Sequence, residues 1–244
     1  MISATRKITM AALFAALSIV LTRYFSILIP LQGVPSLSLE LGGVPVMISG
    51  ILLGPVTGGV VGLASDLLGF LINSRGGPYH PGFTLNAILT GMLPGILFWW
   101  YRRNNPKRAL LLPLTLGMLG VLGAVSLLYL LVAPLEFPEP WIQWVLIGAV
   151  VAIEAIGIFV LLRVVNKENS RQAQELPLRL LLVVMSVEIL VYISLTPLWI
   201  YGLYGIPSIF SLLSRVFRAV LMIPLKTVLL LALLRVLPRA LLRP

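Results

Sequence analysis

The sequence contains no cysteine and only one histidine, His80, among its 244 residues. Without thiols, disulfide bonds, thiolate catalysis and cysteine-ligated iron–sulfur clusters are excluded. A single imidazole is too few for a multi-histidine zinc site. The sequence also has no G-x-x-x-x-G-K-[ST] loop, with which Walker-type enzymes hold ATP phosphates. We therefore expect no metal, no cofactor and no ATP hydrolysis within this chain.

Charged residues are also scarce, at 11% of the chain, whereas soluble domains usually carry about 25%. Hydrophobic residues make up 59%, and several apolar runs reach the ~20 residues that cross a membrane as a helix. These features predict an all-α, polytopic helical bundle that forms one integral membrane domain over 1–244. The eight predicted spans are 8–30, 42–54, 56–73, 83–101, 109–133, 141–165, 178–201 and 207–237.

The net charge of +10 does not indicate nucleic-acid binding, because lysine and arginine cluster at the ends of apolar runs. Basic residues follow every second span, whereas the alternate connections have almost none and only Arg75 breaks the pattern. The positive-inside rule then predicts a multi-pass plasma membrane protein with both termini in the cytoplasm. The basic clusters lie at 6–7, 102–108, 163–179 and 235–243.

The stretch 42–97 is apolar but is interrupted by glycine and proline. Gly54 and Pro55 predict a tight helical hairpin from the second and third spans. The outer loop 73–84 and the residues after it are rich in hydrogen-bonding and aromatic side chains. Aromatic rings stack on flat ligands while amides and hydroxyls orient them, so this loop indicates a small-molecule site. Its candidate contacts are Asn73, Tyr79, His80, Phe83, Thr84 and Asn86, with His80 a hydrogen-bonding residue rather than a catalyst.

Charges inside membrane spans are costly and therefore mark candidate functional residues. Arg23 and Arg215 lie toward the predicted outer side, where their guanidinium groups could bind an anionic ligand. Alternatively, they reach for the membrane surface, or pair internally with Asp66 and Glu188. Asp66 could likewise contact a ligand or belong to an internal pair. Lys226 lies deeper, and we expect it to pair with a carboxylate.

Several segments resemble a known family of membrane proteins. These segments are LLGFLIN and PGFTL within 42–97, ALSIVLTRYFSI in the first span, and TPLWIYGLYGIPSIFSLLSRVFRAVLMIPLKT near the end. Together they are similar to the folate-type substrate-binding (S) components of energy-coupling factor (ECF) transporters. The similarity covers about two thirds of the chain, and the spacing of the first two motifs is its most specific part.

The resemblance implies a six-helix core, formed by 1–108 and 176–244, that binds a folate-like vitamin at the outer face. The helix pair at about 109–175 departs from the family pattern and resembles an insertion. By resemblance, Arg23, Trp199 and Arg215 join the loop residues and Asp66 in the binding site. The family docks on a coupling membrane subunit carried by two ATPases, through small residues of the first helix. Here the matching residues are Ala11, Ala12, Ala15 and Ala16.

Other functions remain open at this point. An intramembrane enzyme would need a nucleophile with its base or a metal cluster, and the sequence offers neither. A scaffold subunit would explain the alanines but not the arginines and the shaped loop. An S component for a different vitamin would explain all of these features.

Overall fold

The computed structural model describes residues 3–31, 34–74, 77–104, 108–132, 140–167, 171–205 and 208–236. It is predominantly helical, and six of its described helices are long and apolar enough to cross a membrane. The described elements are α1 (Ala4–Arg23), β1 (Ile27–Leu31), β2 (Val34–Leu39), α2 (Gly43–Leu53), α3 (Pro55–Ile72), α4 (Pro81–Asn104), α5 (Arg108–Val132), α6 (Pro140–Lys167), α7 (Arg171–Val187), a π-helical segment (Glu188–Leu195), α8 (Thr196–Tyr204) and α9 (Ser208–Val236).

The helical membrane bundle is confirmed, whereas the number of crossings stays a prediction. The predicted second span is α2, which has only 11 residues, and the predicted sixth span is α6, which is not among the six apolar helices. The orientation of the termini also stays a prediction. Arg75, the two glutamates between the predicted fifth and sixth spans (Glu136 and Glu139) and the C-terminal arginines Arg239 and Arg243 lie outside the described residues.

A β-hairpin follows α1, so the all-α prediction is wrong for this segment. Ile27–Leu31 pairs antiparallel with Val34–Leu39, and the register shifts between Ile29 and Pro30. The first span was predicted to reach residue 30, but α1 ends at Arg23. β-Branched residues alternate with others in ILIPL, and proline lacks the N–H that a continuing helix needs. Apolar composition alone does not distinguish such a strand from the end of a span.

The predicted helical hairpin of α2 and α3 is confirmed. Gly54 lies between them with φ +95°, which glycine adopts without strain, and Pro55 opens α3. The hairpin packs tightly on α4 through glycine. A Cβ atom on Gly50 or Gly58 would collide with the carbonyl oxygen of Gly91, so the three backbones lie almost in contact. Small residues permit this close packing of helices in lipid.

The second half of the bundle forms around α7 and α9. Their buried side chains join those of α2 in one apolar core, which includes Met47, Val184 and Ile223. The helices α5 and α6 pack against α7 and α9. The segment from α7 through the π-helical turns to α8 is continuous, so it links the apolar core to the end of the bundle where the β-hairpin lies.

Candidate ligand-binding site

A cavity of about 250 Å³ lies at one end of the bundle, where the end of α1, the end of β2 and the starts of α2, α4 and α9 meet. The ends of α3 and α8 complete its wall. Most of the residues proposed from the sequence line it, namely Arg23, Asp66, Tyr79, His80, Phe83, Asn86 and Arg215. The three others, Asn73, Thr84 and Trp199, contact these lining residues from behind.

Arg23 joins α1 to α3 at the cavity wall. Its Nη2 lies 3.5 Å from Oδ1 of Asp66 and also donates to the Asp66 carbonyl oxygen at 3.3 Å. Its Nη1 donates to the Asn73 carbonyl oxygen at 3.2 Å. The structure therefore contains the internal pair between Arg23 and Asp66, and both residues also line the cavity. Asp66 can therefore belong to an internal ion pair and still be positioned to contact a ligand.

The second carboxylate oxygen of Asp66 begins a chain of hydrogen bonds. Thr84 Oγ1 donates to Asp66 Oδ2 at 2.7 Å, and the Tyr79 hydroxyl lies 2.9 Å from the same Thr84 oxygen. The ring of Tyr79 also packs edge-to-face on Phe70, with centroids 5.3 Å apart. Thr84 belongs to the first turn of α4, which begins at Pro81, so the predicted loop 73–84 is shorter than expected. Proline is favoured at the first helical position, which explains this early start.

A second polar chain links α4 to α8. Trp199 Nε1 donates to Asn86 Oδ1 at 3.1 Å, and Asn86 Nδ2 lies 3.0 Å from Thr196 Oγ1. The His80 and Trp199 rings are 5.7 Å apart at a tilt of 40°. The Trp199 ring lies over Gly82, where a Cβ atom would lie only 2.7 Å from Trp199 Cγ. Glycine is therefore required for this aromatic wall to form.

Arg215 supplies the cation on the α9 side of the cavity. This residue is only 5% exposed. Its Nε donates to Ser211 Oγ at 3.3 Å, one helical turn earlier. The cavity thus has one guanidinium group on α1 and another on α9. Two arginines that enter the same cavity from different helices can hold an anion between them.

A buried ionic cluster lies beyond Arg215. Glu188 accepts from Arg218 Nη1 at 2.8 Å and from Lys226 Nζ at 2.6 Å, which confirms that Lys226 pairs with a carboxylate. Both cations also lie over the Tyr192 ring, at 4.6 and 4.7 Å from its centroid. Arg218 Nε donates to the Ser38 carbonyl oxygen of β2 at 2.6 Å. Glu188 is thus shared by two cations within this cluster.

The sequence matches the family described as "ECF transporter, substrate-specific component" over residues 6–242. The chain belongs to this family. Among curated proteins it is similar to the folate transporter FolT of Clostridium novyi (strain NT), with 37% identity over 111 residues. This match covers 46% of the chain and 59% of that FolT, so the chain spans well under two thirds of this relative.

Among solved structures, the fold is similar to a crystal structure of FolT bound with folic acid. The TM-score is 0.56 at 18% sequence identity, and the match covers 96% of each chain. This likeness concerns the fold. The family membership inferred from the sequence segments is confirmed, and the family is a substrate-binding component of a transporter rather than an enzyme.

The S component's cavity also contains residues that the sequence did not single out. Glu40 follows β2, Thr90 lies on α4, and Tyr192 belongs to the π-helical segment. Glu40 is the first acidic residue of the chain, and this isolation was the one available signal for it. Thr90 and Tyr192 occupy ordinary positions in apolar spans, and nothing in their local sequence distinguishes them.

The structure divides the four alanines of α1 in this S component. Ala11 and Ala15 pack inward against Val46 and Val61 of the α2–α3 hairpin. Ala12 and Ala16 face outward and are exposed. The four alanines therefore form two pairs on different sides of the helix, and only the outward pair is accessible to another protein.

Proposed function

We propose that this S component binds folate, or a folate-like anionic vitamin, from the outer side of the membrane. The observation that carries the proposal is the placement of Arg23 of α1 and Arg215 of α9 in the lining of one cavity that also has aromatic side chains. Folates are flat, hydrogen-bonding and anionic. Guanidinium groups suit their carboxylates, and rings such as His80 and Phe83 suit the heterocycle. The similarity to the Clostridium novyi folate transporter supports this substrate class.

The position of the cavity supports an outward-facing site. The lining residues lie at the carboxyl ends of α1 and α3 and at the amino ends of α4 and α9. The basic residues Arg6, Arg103 and Arg235 lie at the opposite ends of α1, α4 and α9. Under the positive-inside rule, this charged end is cytoplasmic, with both termini on that side of the plasma membrane.

Delivery of the vitamin requires partners, since the sequence has no Walker-type phosphate loop. We infer docking on a membrane-embedded coupling subunit that is driven by two ATPase subunits. The outward pair Ala12 and Ala16 lies in a row with Ile8 and Val20, spaced by four residues along α1. The two small alanine side chains between the exposed Ile8 and Val20 allow another helix to approach closely within the lipid.

Folate titration of the purified chain without ATP tests the proposed site. We expect Arg23→Ala and Arg215→Ala each to weaken folate binding by about 10- to 100-fold, because each removes a charge-assisted hydrogen bond. Arg103→Ala is a matched control, since Arg103 is exposed at the other end of α4. Size-exclusion profiles show whether each variant is folded.

The outcomes separate the proposal from its alternatives. Folate binding that is unchanged in both arginine variants would contradict the site assignment. A different vitamin that co-purifies with the chain, identified by mass spectrometry, would replace folate as substrate. Thermal stabilisation by none of the vitamins tested would favour a scaffold subunit, because a ligand that binds the folded state raises its stability.

A further inference from the structure

A second cavity lies between α5, α6, α7 and α9, away from the vitamin site. We refer to it as the lateral crevice, and its volume is about 480 Å³. Among the described residues that line it, Thr227 is the only one with a polar side chain. Thr227 Oγ1 already donates to the Ile223 carbonyl oxygen at 2.7 Å. The lateral crevice therefore suits an apolar occupant that makes no hydrogen bonds.

The lateral crevice is elongated along α9. Its wall on α9 runs from Val220 to Leu231, which corresponds to about 17 Å along the helix axis. Gly157 of α6 faces Pro224 of α9, where a Cβ atom on the glycine would lie 3.5 Å from Pro224 Cβ. A side chain at Gly157 would thus meet Pro224 in van der Waals contact, so α6 and α9 approach closely at this glycine, which lines the crevice. A channel of this length, parallel to a membrane-spanning helix, matches an alkyl chain.

The lateral crevice has a buried floor and an exposed mouth. Leu181 and Ile223 on the floor are 4% and 0% exposed, whereas Ile156 and Val228 at the mouth are 61% and 52% exposed. Because α9 is long and apolar enough to cross a membrane, we expect this mouth to face the hydrocarbon of the bilayer. An empty apolar space beside lipid would leave its lining without dispersion contacts.

A cation lies between the lateral crevice and the carboxyl end of α6. Ile156, Phe159 and Arg163 are spaced by three and four residues, so they form one row on the helix surface. The Arg163 guanidinium carbon lies 5.0 Å from the centroid of the Phe159 ring, and the side chain is exposed. Arg163 is six residues beyond Gly157, or about 9 Å along the helix. Guanidinium groups bind phosphate through paired hydrogen bonds.

We propose that the lateral crevice binds one acyl chain of a phospholipid, with Arg163 holding its phosphate. The lipid belongs to the leaflet at the carboxyl ends of α6 and α9. Its chain fills the crevice alongside Gly157 and the α9 wall, and its phosphate lies where Arg163 extends from the helix. The bound lipid would hold the α5–α6 pair against α7 and α9. This inference is independent of the vitamin that the chain carries.

Native mass spectrometry of the intact chain tests the proposal, with 1-palmitoyl-2-oleoyl-phosphatidylglycerol added to the delipidated protein as the probe. We expect one tightly retained lipid per wild-type chain. Gly157→Leu places a side chain in the crevice and should abolish this retention. Arg163→Gln should weaken it about tenfold, the order expected for one charge-assisted hydrogen bond.

Two matched controls keep the test specific. Gly148→Leu adds the same side chain to α6 where nothing lies within 4 Å, and Arg103→Gln removes an exposed arginine that packs over Trp99. Both should retain the lipid, and a monodisperse size-exclusion profile in all variants reports an intact fold. Equal retention by the Gly157→Leu and Gly148→Leu variants, or by wild type and Arg163→Gln, overturns the proposal. So does a Gly157→Leu variant that keeps its lipid but no longer co-purifies with a coupling subunit, because a partner helix would then occupy the crevice.

Discussion

Thr84 shows how one side chain can act on the cavity without lining it. Its hydroxyl donates to Asp66 and contacts the Tyr79 hydroxyl, so it fixes two lining residues relative to each other. Asp66 is in turn paired with Arg23. The orientation of a cation, a carboxylate and a phenol at the cavity therefore depends on one buried hydroxyl group at the start of α4.

Replacing Thr84 by valine should weaken folate binding about tenfold. The change keeps the shape of the side chain but removes both hydrogen bonds, each worth about 1 kcal/mol, and leaves Asp66 Oδ2 without this donor. Thr84→Ser keeps the hydroxyl and should bind folate nearly as tightly as wild type. Isothermal titration of the two variants checks this, and equal affinities would show that the hydroxyl does not position the site.

The sequence predicted which side chains line the site better than it predicted which residues they bond to. Charged residues within apolar spans and a loop rich in aromatic residues can be recognised in the sequence, because both are unusual in a membrane protein. The bond from Arg218 to the Ser38 carbonyl oxygen joins residues 180 positions apart. No local pattern marks such a pair, since the partner atom belongs to the backbone of a strand that was predicted to be a loop.

At the scale of elements, the π-helical segment has the clearest structural role. The hydroxyl groups of Ser194 and Thr196 donate to carbonyl oxygens five residues earlier, at 2.8 and 3.1 Å. In this wider turn, Glu188 and Tyr192 both reach the cations of α9. The segment thereby joins the cavity wall to the buried ionic cluster, in keeping with the frequent occurrence of π-turns at functional sites.

Replacing Glu188 by glutamine should strongly destabilise the fold. Arg218 and Lys226 would remain buried without the carboxylate they share, and breaking a buried ion pair in this way costs about 3–5 kcal/mol. Thermal unfolding in detergent, followed by the loss of the monodisperse species, measures the effect. Leu190→Ala alters an exposed residue of the same segment that makes no side-chain hydrogen bond, and it should be nearly neutral. Similar unfolding temperatures for the two variants would argue against a stabilising role for Glu188.

The prediction of elements succeeded where one physical signal dominates. Long apolar runs predicted the membrane helices, and Gly54 followed by Pro55 predicted the α2–α3 hairpin. The β-hairpin was missed because β1 is as apolar as the adjoining span, so hydropathy does not mark the boundary at Arg23, and β2 lies in a connection predicted to be a loop. The π-helical segment was missed because it differs from an α-helix only in its hydrogen-bond register.

At the scale of the whole molecule, the ligand cavity and the lateral crevice are formed by different sets of helices. The proposed ligand cavity is built from α1–α4, the β-hairpin, the π-helical segment, α8 and α9, and none of the described residues of α5 or α6 line it. The pair α5–α6 instead packs on α7 and α9 and forms the lateral crevice. This division agrees with the interpretation of 109–175 as an addition to a six-helix core, which stays a prediction.

Docking on the coupling subunit should depend on the outward alanines of α1. Ala16→Leu places a larger side chain on the exposed row, so we expect less co-purification with the coupling and ATPase subunits but unchanged folate binding. Ala155→Leu makes the same change at an exposed position of α6 and serves as the control. An Ala16→Leu variant that assembles as well as this control would place the docking surface elsewhere.

The position of Trp199 gives the protein an intrinsic optical probe. Four of the five tryptophans are exposed on the bundle surface, namely Trp99, Trp100, Trp141 and Trp144. Trp199 instead bonds to Asn86 and packs beside His80 at the cavity. A chain with phenylalanine at the four surface positions would emit from Trp199 alone. Quenching or a spectral shift of that emission would then follow occupancy of the cavity in real time, without a labelled vitamin.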